Sequence, residues 1–236
     1  MSRGSRTDPG LYFITGTDTA VGKSTLTGLL LAYLRARGVR ALAMKPVCSG
    51  GRGDGRLLHR LQSADVTLDE VNPFWFRAPL APALAARQEG RAVSLQAVLK
   101  GVKRLRRRCD VLLVEGAGGL LSPLGVKFSS MDLIKELRCR VILVAPNKLG
   151  TINSVLLHVG RLGADGVVPE VVLTHRLGLH SSAQCRKLNL QFLSDNVGKT
   201  RLFSLGLPAF AQARHFAIVA GKKKVKKTLA SILGLN

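Results

Sequence analysis

The feature that most constrains this chain is a nine-residue stretch rich in small residues near its N-terminus, Gly16-Thr17-Asp18-Thr19-Ala20-Val21-Gly22-Lys23-Ser24. It follows an apolar run, Leu11 to Ile14, that is typical of a buried strand. It precedes Thr25 to Arg37, whose leucines recur at helical spacing. A strand, a glycine-rich turn and a helix opening with Gly-Lys-Ser form the layout of a phosphate-binding loop. Backbone N–H groups in the turn and the positive end of the helix dipole both favour an anion there.

The spacing of this loop departs from the general pattern, in which four residues separate the first glycine from Gly-Lys. Here the five residues Thr17 to Val21 lie between Gly16 and Gly22. On the loop alone, a simple turn before a helix stays open as an alternative to a nucleotide site. In a nucleotide site, Lys23 would reach the β- and γ-phosphates, and the Ser24 hydroxyl would hold Mg²⁺.

Two further predicted strands carry polar residues where they end. One runs from Val39 to Met44 and leads into Lys45 and Ser49, and the other runs from Asp110 to Glu115 and leads into a glycine-rich turn. Ligands bind at the carboxyl ends of the strands in open α/β sheets, so we expect Lys45, Ser49 and Glu115 to face the phosphate loop. Glu115 stands where a P-loop enzyme carries a carboxylate that orders Mg²⁺.

The rest of the chain alternates predicted strands with predicted helices. The further strands are Arg140 to Ala145, Val167 to Leu173 and Arg201 to Leu205, and the further helices are Leu57 to Leu61, Ser94 to Arg108 and one from Thr151. This alternation implies an α/β fold with a doubly wound, mostly parallel sheet flanked by helices, of the P-loop NTPase type. We expect one domain over residues 11–210, a loose N-terminal tail over 1–10 and a basic C-terminal segment over 211–236.

Composition narrows the class of protein. A chain of 236 residues with 46% hydrophobic residues is long enough for one large domain and is not disordered. No apolar run approaches the ~18 residues of a membrane span, and residues 1–10 are polar, so we expect a cytoplasmic protein. The cysteines, Cys48, Cys109, Cys139 and Cys185, are scattered, which predicts reduced thiols rather than a zinc site or a disulfide framework.

The charge is unusual, because 36 basic residues against 14 acidic ones give a net charge of +22. Such an excess is found in nucleic-acid-binding proteins. The densest basic runs are Lys103 to Arg108, expected near the end of a helix, and Lys222 to Lys227, which we interpret as a solvated tail rather than a basic amphipathic helix. No motif that reads RNA or DNA interleaves aromatic residues with this charge, so we predict no nucleic-acid and no membrane partner.

Several motifs together give the chain a family resemblance over roughly Leu11 to Phe210. They are GTDTAVGKS from Gly16, KPVCSG from Lys45, VNPFWF from Val71, VEGAGGLLSPL from Val114 and LGTIN from Leu149. In this combination and order the chain resembles the dethiobiotin synthetase family, in which the first loop has the longer spacing seen here. The resemblance implies ATP- and Mg²⁺-dependent ring closure, in which 7,8-diaminononanoate takes up CO₂ as a carbamate that ATP phosphorylates before the second amine attacks.

The resemblance also implies roles for residues. The catalytic residues would be Lys23 and Lys45, and the Mg²⁺ ligands Ser24, Asp54 and Glu115. The nucleotide would contact Ala20, Val21, Gly22, Lys23, Ser24, Thr25, Asp54, Glu115, Gly116, Ala117, Gly118, Thr174, His175, Leu207 and Pro208. The diamine and carbamate would contact Thr19 and Ser49. Leu149, Gly150, Thr151 and Asn153 of a second subunit would receive the substrate carboxylate, which implies a homodimer with the site at its interface.

Three departures from the family pattern matter. Ala20 stands where relatives often carry an acid, Ser24 replaces the commoner Thr, and Thr174-His175 stands where relatives often place an Asn that reads adenine. Backbone groups around Gly206 to Pro208 stay open as an alternative reader of the base. Residues 211–236 do not resemble the family closely.

Three alternatives to an active synthetase stay open on the sequence. An inactive or repurposed synthetase homologue is the more serious one, because of Ala20 and the altered base-reading site. A ParA/MinD-type ATPase switch shares the fold, but it normally carries an additional lysine early in the loop, where this chain has Thr17 and Asp18. A P-loop protein associated with nucleic acid is the third alternative.

Overall fold

The computed structural model describes residues 8–176, 182–207 and 213–235. The strands are β1 (Asp8–Gly16), β2 (Ala41–Met44), β3 (Val47–Cys48), β4 (Phe74–Trp75), β5 (Val111–Glu115), β6 (Pro123–Gly125), β7 (Phe128–Ser129), β8 (Cys139–Pro146), β9 (Glu170–Arg176) and β10 (Arg201–Leu207). The helices are α1 (Lys23–Arg35), α2 (Gly53–Arg60), α3 (Leu68–Val71), α4 (Pro82–Gln88), α5 (Leu95–Arg106), α6 (Ser130–Leu137), α7 (Thr151–Gly163), α8 (Ala183–Asn196), α9 (Ala213–Gly221) and α10 (Lys223–Leu233).

Over the described residues, a six-stranded sheet with the order β10-β9-β8-β1-β5-β2 forms the centre of the fold. Every neighbouring pair in it is parallel, and Phe13 of β1 lies opposite Val114 on one side and Val141 on the other. The two halves of the sheet meet at β1, whose carboxyl end leads into the glycine-rich loop, at the place where open α/β sheets bind ligands. The predicted fold class is confirmed.

The inner strands are buried on both faces, which is why their sequences are almost continuously apolar. Phe13 and Ile14 of β1 are fully buried, as are Leu26, Leu29 and Leu30 of α1. Helix α1 begins directly after the loop and packs against β1 and β2, so the core anchors both ends of the loop. Among the described residues, no helix has both the length and the apolar character needed to cross a membrane.

The N-terminal boundary of the domain differs from the expected one. Strand β1 begins at Asp8, so the last residues of the expected tail belong to the sheet. The Asp8 carboxylate accepts two hydrogen bonds of 2.9 Å from the Arg106 guanidinium, and its N–H donates to the Arg138 carbonyl at 3.1 Å. The ion pair between Asp8 and Arg106 stabilises the polar start of β1. No pattern in the sequence signals this pair.

The C-terminal segment is part of the core, so the prediction of a solvated tail is wrong for residues 213–235. Helices α9 and α10 pack against α1 and against each other, and Phe216, Leu229 and Ile232 are buried. Gly28 of α1 makes room for Phe216, since a Cβ at residue 28 would lie 2.6 Å from the ring. The lysines of α10 lie on its exposed side, so the run is one face of an amphipathic helix whose apolar face the core already covers.

The outer edge of the sheet is completed by a side chain. Strand β2 is an edge strand, and such a strand leaves backbone N–H and C=O groups unpaired. The buried Gln62 amide pairs with Ala43 of β2: its Oε1 accepts from the N–H at 2.9 Å, and its Nε2 donates to the carbonyl at 2.7 Å. Gln62 therefore replaces the missing neighbouring strand at this point.

If the C-terminal helices belong to the core, Phe216→Ala will lower the free energy of unfolding by about 3 to 5 kcal/mol, the usual loss for a buried Phe. Phe216 is 2% exposed, whereas Phe192 of α8 is 46% exposed and serves as the matched control. Phe192→Ala is expected to cost about 1 kcal/mol or less. Urea unfolding of both variants measures the difference, and similar losses in the two would show that α9 is not part of the core.

Candidate active site

The conformation of the glycine-rich loop is fixed by a backbone hydrogen bond and by positive φ angles at two of its residues. Its Thr17 N–H donates to the Val144 carbonyl at 2.9 Å, which fixes the loop to β8. Gly22 has a positive φ of 104° at the N-cap of α1, and a Cβ there would collide with Leu207 of β10. Ala20 also has a positive φ, 58°, a strained conformation for a residue with a Cβ. Such strain is typical of loops that bind ligands.

Thr174 supports the loop through its side chain. Its buried hydroxyl lies 2.8 Å from the Val21 carbonyl, to which it donates, and 3.2 Å from the Ala145 carbonyl. A contact between Thr174 and the nucleotide stays a prediction. The neighbouring His175 has a buried Nδ1 without a hydrogen-bond partner among the described residues. Burial lowers the pKa of His175, and the charges of Arg186 and Lys224 lower it further.

A buried ion pair lies next to the loop, where β2 and β5 end. The two strands are neighbours in register, with Met44 opposite Val114, so the next residues, Lys45 and Glu115, meet. Lys45 Nζ donates to Glu115 Oε1 at 2.7 Å and to the Gly116 carbonyl at 2.9 Å. It also lies 3.1 Å from Asp54 Oδ2. The strand-end argument from the sequence therefore placed Lys45 and Glu115 correctly.

The phosphate loop joins this cluster through Ser24, whose hydroxyl donates to Glu115 Oε1 at 2.7 Å. Lys23, one residue earlier, donates from Nζ to the Asp18 carbonyl at 2.6 Å and thereby closes the loop on itself. Burial lowers the pKa of Lys23 to about 8, and the neighbouring Lys45 charge adds to the shift. An anion bound between the two lysines would raise the pKa of Lys23 again, because it brings negative charge to the ammonium group.

The charge state of the rest of the cluster follows from its geometry. Burial by itself would lower the pKa of Lys45, but the Glu115 and Asp54 carboxylates outweigh it and raise that pKa. Burial would likewise raise the pKa of Asp54, but the Lys45 charge, hydrogen bonds from Lys45 and Ser24, and the Lys23 charge together outweigh it and lower that pKa. Lys45 is therefore an ammonium and Asp54 a carboxylate at neutral pH.

These groups lie at a cleft of about 650 Å³ that is lined by half of the predicted site residues. Its lining includes Thr19, Ala20, Gly22, Lys23, Ser24, Thr25, Lys45, Ser49, Asp54, Ala117 and Gly118. Glu115 and Gly116 lie beneath Lys45, Val21 bonds to Thr174, and Leu207 touches Gly22. Pro208 lies outside the described residues.

Some lining residues were not expected from the sequence. They are Leu57, Cys48 and Ser122. The stretch Pro79 to Pro82 also lines the cleft, and its closely spaced prolines indicate a pocket wall. The Ser122 hydroxyl accepts a hydrogen bond of 2.9 Å from the Gly119 N–H and so shapes the turn after β5. Its place in the LLSPL part of the fourth family motif was the one available signal.

The residues predicted to act from a second subunit lie elsewhere on this chain. Leu149 is 92% exposed, and Asn153 is exposed on the first turns of α7. Gly150 caps α7 with a φ of 87°, and Thr151 is buried. None of these residues lines the cleft of the same chain. Their use by a second copy stays a prediction.

The oxygen atoms around Lys45 fit a magnesium ion. Ser24 Oγ, Asp54 and Glu115 are the hard donors that this cation prefers, and all three are in contact with one another or with Lys45. Glu115 Oε2 is buried without a hydrogen-bond partner among the described residues, which leaves an acceptor unused. The described residues contain no group of three or more His, Cys, Asp or Glu side chains with metal-binding geometry. A magnesium ion here would therefore need water or phosphate oxygens as further ligands.

The parallel sheet, the glycine-rich loop and the lysine at the start of α1 define a P-loop nucleotide-binding protein. A family model described as an AAA domain matches residues 11–175. The ATP-dependent dethiobiotin synthetase BioD of Anaeromyxobacter sp. strain Fw109-5 is 44% identical over 168 residues, which are 70% of this chain and 75% of that protein. The protein of the same name from Aromatoleum aromaticum is 37% identical over 169 residues, 68% of this chain and 75% of that protein. The chain belongs to the dethiobiotin synthetase family.

Solved structures share the fold at low sequence identity. The MinD cell division protein of Aquifex aeolicus has a TM-score of 0.54 and 17% identity, and the match covers 95% of both chains. The pNOB8 ParA protein, solved bound to nonspecific DNA, has a TM-score of 0.53 and 12% identity, covering 95% of this chain and 96% of that one. These likenesses support the α/β architecture and no more than that.

The thiol in the cleft is not a nucleophile at neutral pH. Burial raises the pKa of Cys48 to about 11, although the Lys45 charge opposes the shift. Since only the thiolate reacts, alkylation of Cys48 by iodoacetamide will be slow at pH 7.5 and will accelerate about tenfold per pH unit between pH 8 and 10. Peptide mass spectrometry gives the rate, with the partly exposed Cys185 as an internal reference. A rate at Cys48 that matches Cys185 at pH 7.5 would contradict this assignment.

Proposed function

We propose that this protein is a cytoplasmic, homodimeric dethiobiotin synthetase that uses ATP and Mg²⁺. It carboxylates 7,8-diaminononanoate with CO₂ and closes the ureido ring, with release of ADP and phosphate. The observation that carries the proposal is that Lys23, Ser24, Lys45 and Asp54 line one cleft, with Glu115 bonded to Ser24 and Lys45 beneath it. The names of the relatives, which are 36% to 44% identical to the chain, support it independently.

The reaction needs anions held close together. CO₂ adds to one amine nitrogen, which loses a proton, and the product is a carbamate. A carbamate oxygen then attacks the γ-phosphorus, the bond to ADP breaks, and a carbamic-phosphoric anhydride forms. The second amine attacks the carbonyl carbon and loses its proton, phosphate leaves, and the ring is closed. Phosphoryl transfer of this kind depends on positioning and charge neutralisation more than on covalent help from the protein.

The two lysines of the cleft supply positive charge on either side of the transferred group. Lys23 lies at the start of α1, where the helix dipole and loop N–H groups add to its effect on the β- and γ-phosphates. Lys45 is protonated at neutral pH and more deeply buried than Lys23, so it is suited to the carbamate and to the charge that moves between the two anions. Thr19 and Ser49 line the same cleft and provide hydroxyls for the carbamate or the free amine.

Ser24, Asp54 and Glu115 would hold Mg²⁺, which supplies charge neutralisation at the phosphates when it is bound. Lys45 pairs with both Glu115 and Asp54, so the two carboxylates are already collected in one place. The entropic cost of bringing these carboxylates together is therefore part of folding and not of ligand binding, which favours tight binding of Mg²⁺.

One assay separates this proposal from its alternatives. Purified protein is incubated with ATP, Mg²⁺, bicarbonate and 7,8-diaminononanoate, and ADP release is followed with each component omitted in turn. The proposal predicts ADP release that requires the diamine and CO₂. ATP hydrolysis without the diamine would indicate a switch of the ParA/MinD type. No hydrolysis with ATP bound would indicate an inactive or repurposed homologue.

The role of Lys45 can be tested by Lys45→Gln, which keeps a polar side chain of similar length but removes the charge. We expect kcat to fall by about two orders of magnitude, the scale of losing one strong electrostatic contact in the transition state. Lys100→Gln on the exposed side of α5 is the matched control and should leave kcat unchanged. Steady-state kinetics with ATP and diamine varied will decide. A raised KM with near-normal kcat would mean that Lys45 only binds substrate.

We further expect loose selectivity for the nucleotide base. The Thr174 hydroxyl is engaged by the Val21 carbonyl and cannot offer the paired donor and acceptor with which an Asn amide reads adenine. GTP or CTP should therefore support turnover within about tenfold of ATP, a gap of ~1.4 kcal/mol. Initial rates with the four nucleoside triphosphates at equal subsaturating concentration measure this. A preference for ATP above a hundredfold would point to backbone groups near Leu207 as a base-reading contact.

A further inference from the structure

The Lys45 backbone is hydrogen-bonded to a side chain that does not line the cleft. Asn72 follows α3 and is fully buried, and its Nδ2 donates to the Lys45 carbonyl at 2.6 Å. The Lys45 N–H donates to the carbonyl of Val71, the residue before Asn72, at 2.8 Å. Both polar groups of the Lys45 backbone are thus fixed by two consecutive residues. This leaves the start of the Lys45 side chain with one defined direction.

The same amide is locked in place by an arginine. Arg52 donates from Nε to Asn72 Oδ1 at 3.3 Å and from Nη2 to the Asn72 carbonyl at 2.7 Å. Its Nη2 also donates to the Leu68 carbonyl at 3.1 Å, and its guanidinium lies 5.5 Å from the centre of the Trp75 ring. Because Arg52 has only donors and the Lys45 carbonyl only accepts, the two ends of the Asn72 amide cannot exchange places.

Asn72 also contacts the turn that carries Asp54. A Cβ at Gly55 would lie 2.6 Å from the Asn72 Cβ, so the α2 backbone approaches Asn72 more closely than any other residue type at position 55 would allow. Asp54 lies between Arg52 and Gly55 in the chain, and both of these neighbours touch Asn72. The first turn of α2 is therefore set against the same side chain that holds Lys45.

We propose that Asn72, fixed by Arg52, is a positioning residue for the proposed synthetase reaction. It acts through the Lys45 backbone and the first turn of α2, and it sets the 3.1 Å distance between Lys45 Nζ and Asp54 Oδ2. Displacements of about 1 Å in such a cluster can cost up to about a hundredfold in rate, so an indirect contact of this kind is sufficient to control turnover. The inference rests on the proposed function.

The test compares Asn72→Ala in two backgrounds. In the native background, kcat should fall about tenfold or more. In the Lys45→Gln background, the same substitution should change kcat by about twofold or less, because the Lys45–Asp54 pair that Asn72 sets is already lost and effects within one unit are not additive. An equal fall in both backgrounds, or no fall in the native one, would overturn the inference. Should Asn72→Ala fail to fold, Arg52→Lys replaces it with the same expected outcomes.

Gln62→Ala is the matched control, since Gln62 is also a buried amide that bonds to the β2 backbone, but at Ala43 rather than at Lys45. Both variants should lower Tm by a few °C, the usual scale for a lost buried hydrogen bond in a domain of this size. Only Asn72→Ala should lower kcat. A comparable fall in kcat for Gln62→Ala would show that general loosening of β2 is the cause.

A crystal structure of each ligand-free variant tests the inference without any assay. The Lys45–Asp54 pair should be broken or displaced in Asn72→Ala and should keep its 3.1 Å distance in Gln62→Ala. An unchanged pair in Asn72→Ala would overturn the inference whatever the protein catalyses. Absence of turnover in the native protein would instead count against the proposed function alone.

Discussion

The buried ion pair between Lys45 and Glu115 is the interaction on which the cleft depends. Both side chains are almost completely shielded from water, and removing two charges from water is costly unless their geometry and hydrogen bonds compensate. Here the Lys45 ammonium has three acceptors, on Glu115, Asp54 and the Gly116 backbone. The pair joins the ends of β2 and β5, and Ser24 ties the phosphate loop to the same carboxylate. The proposed nucleotide and metal contacts are arranged around this point.

The phosphate loop in turn depends on parts of the chain that lie far from it in sequence. Thr174 of β9 holds the Val21 carbonyl, and Leu207 of β10 packs against Gly22. The C-terminal helix α9 packs Phe216 against Gly28 on α1, the helix that begins with Lys23. The loop is therefore supported from the far edge of the sheet and from the C-terminus, which explains how it holds a strained φ at Ala20.

Much of this arrangement follows from sequence patterns that act over short distances. Apolar runs and glycine-rich turns predicted the strands, and the rule that ligands bind at strand ends placed Lys45 and Glu115 together. What the sequence could not predict concerns residues whose partners are remote. Nothing near Thr174 signals that its hydroxyl bonds to the Val21 carbonyl. For α10, helical spacing shows that an apolar face exists beside the lysines, but it does not show what covers that face. The structural roles of Asn72 and Gln62 could not be predicted for the same reason, because a buried amide is recognised only by the backbone groups to which it bonds.

A double-mutant cycle on the free energy of unfolding tests the central claim most directly. Lys45→Met leaves Glu115 buried without its partner, and Glu115→Gln leaves Lys45 with a weaker one. We expect Lys45→Met to cost about 3 to 5 kcal/mol, as is usual when one member of a buried pair is removed. The combined Lys45→Met and Glu115→Gln variant should cost much less than the sum of the two single changes. Additive costs, within about 0.5 kcal/mol, would show that the pair is not an interacting unit and would contradict this account of the cleft.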